Sequence, residues 1–271
     1  MKIFKNKLIL QKEISKDNRL SFVPTMGGLH RGHISLIQKA KKYKRKICVS
    51  IFVNPTQFNK KNDFKNYPRN LKSDIKKLKK LKINYLYLPN YSDIYSFKSK
   101  NKIYVDKFSK QLCGKFRKGH FEGVLNVVNR FLEIINPKYI FLGIKDFQQL
   151  ALIDSHIKKN KIKTKVIQCK TIREKNGVAC STRNLNLKNK ELSIASNIYK
   201  YLFNLNKKLK KNYKLFNIKK IRKDLVLLGA TKIDYVTNLK INTFKKHRKL
   251  KNNFKLFFAY YIKNIRLIDN I

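Results

Sequence analysis

The sequence predicts an α/β fold, a doubly wound parallel sheet with a smaller α+β domain at its C-terminal end. Three observations carry this reading. Short apolar runs alternate with helix-period segments through the first two thirds of the chain. One of those runs, "KICVSIFV", is apolar and β-branched almost throughout, as a strand covered on both faces should be. The alternation then stops after "REKNGVACSTRN".

Taken in order, "RLSFVPT" reads as a short buried strand, followed by a glycine turn and a helix from about Gly32 to Lys44. The strand "KICVSIFV" comes next, then a helix in "YPRNLKSDIKKLKKL" with an apolar stripe at Leu71, Ile75, Leu78 and Leu81. "INYLYLP" is another strand. "FEGVLNVVNRFLEIIN" places Val124, Val127, Val128, Phe131, Leu132 and Ile135 at helical spacing. "YIFLG" is a strand, "DFQQLALIDSHIKK" a helix and "IKTKVIQC" a closing strand. Strands separated by helices of this length form parallel β-α-β units, hence a Rossmann-like sheet. Thr171 marks the boundary between a domain over 1–171 and a small C-terminal lid domain over 172–271. The latter holds two helices, about Lys190–Lys211 and Asn217–Leu228, and two strands, "KIDYVTNL" and "KLFFAYYI", joined by a basic loop.

The chain has 65 Lys and Arg against 15 Asp and Glu, a formal charge of +50. Clustered positive charge would suit a phosphate backbone. Here the lysines are spread through every segment among many Asn and Ile residues, so the charge reads as a solvated surface and no specific nucleic-acid partner is expected. No apolar stretch approaches the ~18–20 residues that would span a bilayer, and no leader is evident. Cys48, Cys113, Cys169 and Cys180 stand far apart without a C-x-x-C pair, so neither a protein-held metal nor a disulfide framework is expected. The expected location is cytoplasmic.

Chemistry concentrates where strands pass into helices. "PTMGGLHRGH" puts His30 and His33 beside a glycine turn, at a helix start whose free N–H groups favour an anion. There is no G-x-x-x-x-G-K-[ST]. H-x-G-H is instead the pattern of enzymes that attack the α-phosphate of a nucleoside triphosphate, where an aimed donor strengthens as pyrophosphate leaves. "SIFVNPTQF" ends its strand with Asn54 and Gln57, two uncharged amides suited to a small polar substrate, although Asn-Pro is also an ordinary turn signal. "YIFLGIKDFQQL" presents Lys145 for a phosphate, Asp146 for ribose hydroxyls or for capping the helix, and Gln149 for an acid substrate. "FRKGHFEGV" offers Arg117 and His120, either an anion site or a structural histidine at a helix start. "ACSTRN" offers Ser181, Thr182 and Arg183, suited to closing over a triphosphate.

Together "PTMGGLHRGH", "SIFVNPTQF", "FRKGHFEGV", "FLGIKDFQQL" and "CSTRN", in that order and followed by "IRLIDN", resemble the pantoate–β-alanine ligase (pantothenate synthetase) family nearly end to end. The resemblance implies an AMP-forming ligase of pantothenate biosynthesis that uses ATP with Mg2+. It would join pantoate to β-alanine through a pantoyl adenylate, as a homodimer. It further implies that His33, His30, Lys145 and Arg183 carry the chemistry. Met26, Gly28, Gly143, Asp146, Ile172, Cys180, Ser181 and Thr182 would complete the ATP site. Gln57, Gln149, Asn54 and Arg117 would serve pantoate and β-alanine. Ile144 stands where the family usually has Glu, Lys118 replaces Pro, Cys180 replaces Met or Leu, and Thr182 replaces Ser.

Two rival readings are weaker. A tRNA synthetase-like or other nucleotidylyltransferase could share H-x-G-H, but "VNPTQF" and "KDFQQL" argue against it and no tRNA-binding domain fits in the remainder. A non-enzymatic RNA binder would need basic residues gathered on one face with aromatics for stacking.

Overall fold

The computed structural model describes residues 1–15, 17, 20–59, 61–241, 243–244 and 254–271. They divide into two compact units, Met1–Thr171 and Ile172–Ile271.

In chain order the first unit holds β1 (Lys2–Phe4), α1 (Lys7–Ile14), β2 (Ser21–Thr25), α2 (Arg31–Lys41), β3 (Ile47–Ile51), α3 (Lys61–Lys65) and α4 (Leu71–Lys80). It continues with β4 (Tyr85–Tyr87), α5 (Tyr91–Tyr95), α6 (Leu112–Phe116), α7 (His120–Ile135), β5 (Tyr139–Gly143), α8 (Phe147–Lys159) and β6 (Lys165–Cys169). The strands form one sheet in the order β1-β4-β3-β2-β5-β6, and every pairing is parallel. Alternation along the strands separates two layers. Val23, Val49 and Leu86 pack with Ile37, Ala40 and Leu78 of α2 and α4. Their neighbours Phe22 and Tyr87 meet Phe131 of α7, with ring centroids 5.5 and 6.1 Å apart. Burying a phenylalanine such as Phe131 contributes about 1.5–3 kcal/mol.

The structure corrects the sequence reading at four places. β1 and α1 were not anticipated: three residues are too few to show a period, and β1 is recognised only by its pairing beside β4. The helix after the glycine turn ends at Lys41, because the chain turns left-handed at Lys44 (φ 50°) to enter β3. In α4 the apolar stripe is shorter than expected. Leu71 at the helix start is exposed, whereas Asp74 is buried, at 1% exposure.

The second unit opens with a short reversal that pairs Arg173 with Ala179, followed by a 3-10 turn at Thr182–Asn186. Then come α9 (Asn189–Lys211), α10 (Ile218–Leu227), β7 (Lys232–Lys240), β8 (Phe254–Ile262) and β9 (Ile265–Asn270), the strands antiparallel in that order. Ala195, Ile198, Leu202 and Leu209 of α9 share a core with Leu256 and Phe258 of β8. The fourth correction is β9, which "IRLIDN" forms as a third strand after a tight turn with Lys263 left-handed (φ 50°). Most of the basic loop before β8 lies outside the described residues. Among the described residues no helix is long and apolar enough to cross a membrane.

Candidate active site

From β2 the chain steps to β3 and β4 on one side of the sheet, then to β5 and β6 on the other, so the order reverses between β2 and β5. Loops at the carboxyl ends of such a strand pair flank the crevice where open α/β sheets hold ligands. Here those loops are residues 26–30 and the 3-10 turn Ile144–Asp146.

The first loop is a double left-handed turn, Gly27 at φ +79° and Gly28 at φ +61°. Thr25 steadies its entry: the hydroxyl donates to the Ser50 carbonyl at 2.8 Å and accepts from the Gly27 N–H at 3.2 Å. Asp74 of α4 holds the middle, its two carboxylate oxygens each 2.8 Å from the N–H groups of Gly28 and Leu29. Lys77, one turn further along α4, donates to the Leu29 carbonyl at 2.7 Å. A Cβ on Gly27 would lie 3.1 Å from both Asp74 Oδ2 and Ile51 Cγ2. Gly27→Ala is therefore expected to lower stability by about 1–3 kcal/mol, the cost of a strained backbone, read as a lower denaturant midpoint.

The two histidines then start α2 as a reciprocal cap. His30 Nδ1 accepts from the Gly32 N–H at 3.1 Å, and His33 Nδ1 accepts from the His30 N–H at 3.4 Å. The arrangement follows the capping box, with imidazoles in place of hydroxyl and carboxylate. Because Nδ1 accepts in both rings, the proton of each neutral ring sits on Nε2. The rings lie 4.0 Å apart, tilted by 35°. Desolvation, then the electrostatic influence of His30, Lys145 and Lys77, holds His33 well below the ordinary histidine range. His33 is thereby built as a neutral, directional N–H donor. Lys145 supplies fixed charge from the β5 end and lies 3.6 Å from Asp146. Asp146 occupies the position before α8 without a side-chain cap bond, and its side chain is 45% exposed, so it does not cap the helix. A Cβ on Gly143 would meet open space.

Gln57 is placed by a second construction. Its Nε2 donates to Met26 Sδ at 2.9 Å, and its Oε1 accepts from Asn54 Nδ2 at 3.3 Å. Its backbone carbonyl accepts from His120 Nδ1 at 2.7 Å and from Arg117 Nη2 at 3.2 Å. Arg117 Nη1 also lies 2.9 Å from His120 Nε2, which accepts once Nδ1 carries the proton. Gly123 lets α7 approach this turn, since a Cβ there would fall 2.4 Å from the Thr56 carbonyl oxygen. Asn54 is buried and committed within the protein: its Nδ2 also donates to the Gly123 carbonyl, and its Oδ1 accepts from Thr56 and Tyr95. Asn54, Arg117 and His120 thus hold Gln57, and His120 is the structural histidine at the start of α7. Of the paired glutamines on α8, Gln148 is buried and bonded to the backbone of Phe108, Gln111 and Cys113, while Gln149 is only partly buried.

Residues 2–271 match the Pantoate-beta-alanine ligase family. The chain belongs to that family. It is 39% identical over 263 residues to the pantothenate synthetase of Francisella philomiragia, spanning 97% of this chain and 92% of that one. With the pantothenate synthetase of Flavobacterium psychrophilum the identity is 38% over 269 residues, 98% of this chain and 95% of that one. Among solved structures, the pantoate–β-alanine ligase of Francisella tularensis, crystallised with β-γ ATP and β-alanine, superposes with a TM-score of 0.85 at 38% identity. That match covers 100% of this chain and 97% of the other. The pantothenate synthetase of Thermus thermophilus gives a TM-score of 0.90 at 26% identity, covering 100% and 99%.

As a pantoate–β-alanine ligase family member, the chain brings Met26, Gly28, His30, His33, Gln57, Lys145 and Asp146 to the ends of β2, β3 and β5. Ile172, Cys180, Ser181, Thr182 and Arg183 belong to the second unit. There the Ile172 carbonyl accepts from the Cys180 N–H at 2.9 Å, and the Cys180 thiol is buried with Sγ donating to Glu174 Oε1 at 3.0 Å. Ser181 Oγ caps the following 3-10 turn by accepting from the Arg183 N–H at 3.3 Å, and Thr182 is buried. Sequence reasoning missed Asp74 and Lys77. A signal for Asp74 was present: it stands four residues before Leu78, on the buried face of its helix. Among the described residues no cluster of three or more His, Cys, Asp or Glu side chains could hold a metal ion.

Proposed function

We propose that the chain condenses pantoate with β-alanine, using Mg-ATP as the substrate form of the nucleotide. A pantoate carboxylate oxygen attacks the α-phosphorus, forming a P–O bond as the bond to the β-phosphate oxygen breaks and pyrophosphate leaves. The β-alanine amine then attacks the acyl carbon, a C–N bond forms, the acyl–phosphate C–O bond breaks and AMP departs. The amine loses protons in that second step, and the product is pantothenate.

The observation that carries this reading is the reciprocal histidine cap at the sheet's switch point, with Lys145 beside it. His30 and His33 offer Nε2–H donors whose hydrogen bonds strengthen as charge builds on the departing phosphates. Lys145 neutralises phosphate charge. Gln57 and Gln149 bind pantoate, with Gln57 near the incoming amine, while Asn54 and Arg117 act by holding Gln57. Gly143 and Asp146 take the ribose, Met26 and Gly28 line the nucleotide, and Ile172, Cys180, Ser181, Thr182 and Arg183 serve the triphosphate. Where the family usually has Glu, Ile144 offers Lys145 no carboxylate, and Asp146 is the carboxylate within reach. The family resemblance also supports a homodimer, and dependence on ATP is compatible with the cytoplasmic location we propose.

The test is exchange of labelled pyrophosphate into ATP. Exchange that requires pantoate and is not supported by amino acids is the expected result, with AMP and pantothenate appearing once β-alanine is added. Exchange driven by an amino acid, or none with pantoate under any Mg-ATP condition, would refute the reading.

A further inference from the structure

Helix α4 carries none of the five family motifs, yet it touches the histidine turn at three backbone groups. Asp74, 1% exposed, accepts from the N–H groups of Gly28 and Leu29 at 2.8 Å each. Lys77 donates to the Leu29 carbonyl at 2.7 Å. The two side chains are three apart on one helix, so they face the same way. Between them they satisfy both N–H groups and the carbonyl immediately before His30, backbone groups that a left-handed turn leaves without a secondary-structure partner. We propose that Asp74 and Lys77 are positioning residues of this ligase, a clamp through which α4 sets where His30 and His33 present their Nε2–H donors.

The proposal rests on the ligase reading above and adds a part to it. The clamp works through backbone, so it leaves both imidazoles available for their mutual cap. It also accounts for a charged helix beside an adenylating site. A lysine seated on Leu29 adds positive charge near His33 without competing for the ring nitrogens, reinforcing the desolvation and the influence of His30 and Lys145 that hold that ring neutral. The titratable and charged groups around His33 are His30 at the cap of α2, Lys77 from α4 and Lys145 from the turn after β5. Asp74, one turn from Lys77, is engaged with Gly28 and Leu29.

The test uses the full chain with Lys77→Met and Lys77→Arg, read in two independent ways. In pantoate-dependent pyrophosphate exchange, Lys77→Met should lower kcat about tenfold, the worth of one charge-assisted hydrogen bond, with little change in KM for ATP. The acid limb of kcat/KM should move to higher pH, because His33 loses a neighbouring positive charge. Lys77→Arg should restore both. Independently of activity, the His33 ring titration followed by NMR should move upward in Lys77→Met and return in Lys77→Arg. Wild-type kcat with an unmoved acid limb in Lys77→Met would overturn the proposal, as would a loss of kcat that leaves the His33 titration where it was. If the wild type fails to exchange with pantoate, the ligase reading falls and the NMR titration still decides the clamp.

Discussion

Replacing His33 with alanine is expected to lower pantoate-dependent pyrophosphate exchange by about 10²–10³-fold, the usual cost of removing one donor aimed at developing charge. The informative comparison is between two further variants. His33→Lys adds a full positive charge but has no acceptor for the His30 N–H, which His33 Nδ1 now receives at 3.4 Å. His33→Asn has no charge but keeps one acceptor and a donor. Since His33 is held neutral by desolvation and by His30, Lys145 and Lys77, asparagine should recover more activity than lysine. The order of the two would reverse if the site needed charge more than direction. The alanine and lysine variants also lose part of a helix cap, worth about 0.5–2 kcal/mol. Circular dichroism and denaturant midpoints should accompany the rates, so that a folding defect is not read as chemistry.

Gly123→Ala should produce the second large effect, at a residue that need not touch any substrate. Its Cβ would fall 2.4 Å from the Thr56 carbonyl oxygen and 2.9 Å from the Gln57 N–H nitrogen. Either α7 withdraws or the turn Pro55–Gln57 moves. Gln57 is held by its carbonyl to His120 and Arg117, at and just before the start of α7, and by Asn54, whose amide also binds the Gly123 carbonyl. All of these contacts shift together. We expect KM for pantoate to rise at least tenfold and stability to fall by about 1–3 kcal/mol, as for overpacking, while KM for ATP changes far less. Steady-state kinetics with each substrate varied separately decides this; an unchanged pantoate KM would show that α7 does not set Gln57.

The parts legible in the sequence were those with local physical signatures. β3 and β5 are buried on both faces and read as unbroken apolar runs, and α7 shows its stripe at helical spacing. The histidine turn was legible because glycine pairs and H-x-G-H are local. What escaped depends on contacts distant in sequence. β1 is defined by Tyr85–Tyr87, more than eighty positions away. Lys77 looked like one more of 65 basic residues, and only the approach of α4 to Leu29 distinguishes it. Asn54 and Arg117 carried the right chemistry for a ligand, and their contacts with Gly123 and Gln57 depend on the packing of α7, which no local pattern announces.

The histidine cap has a consequence for how this chain can change. In most helices the residues that start the first turn can be exchanged for better caps without touching anything else. Here the same two nitrogens that secure the start of α2 also decide which ring atom is left to donate, the atom proposed to meet the phosphates. A serine and a glutamate at these positions would make a sturdier helix and would silence the reaction. Selection for robustness and selection for turnover therefore pull the same two codons in opposite directions, and a screen for thermal tolerance alone would drift toward an inert protein.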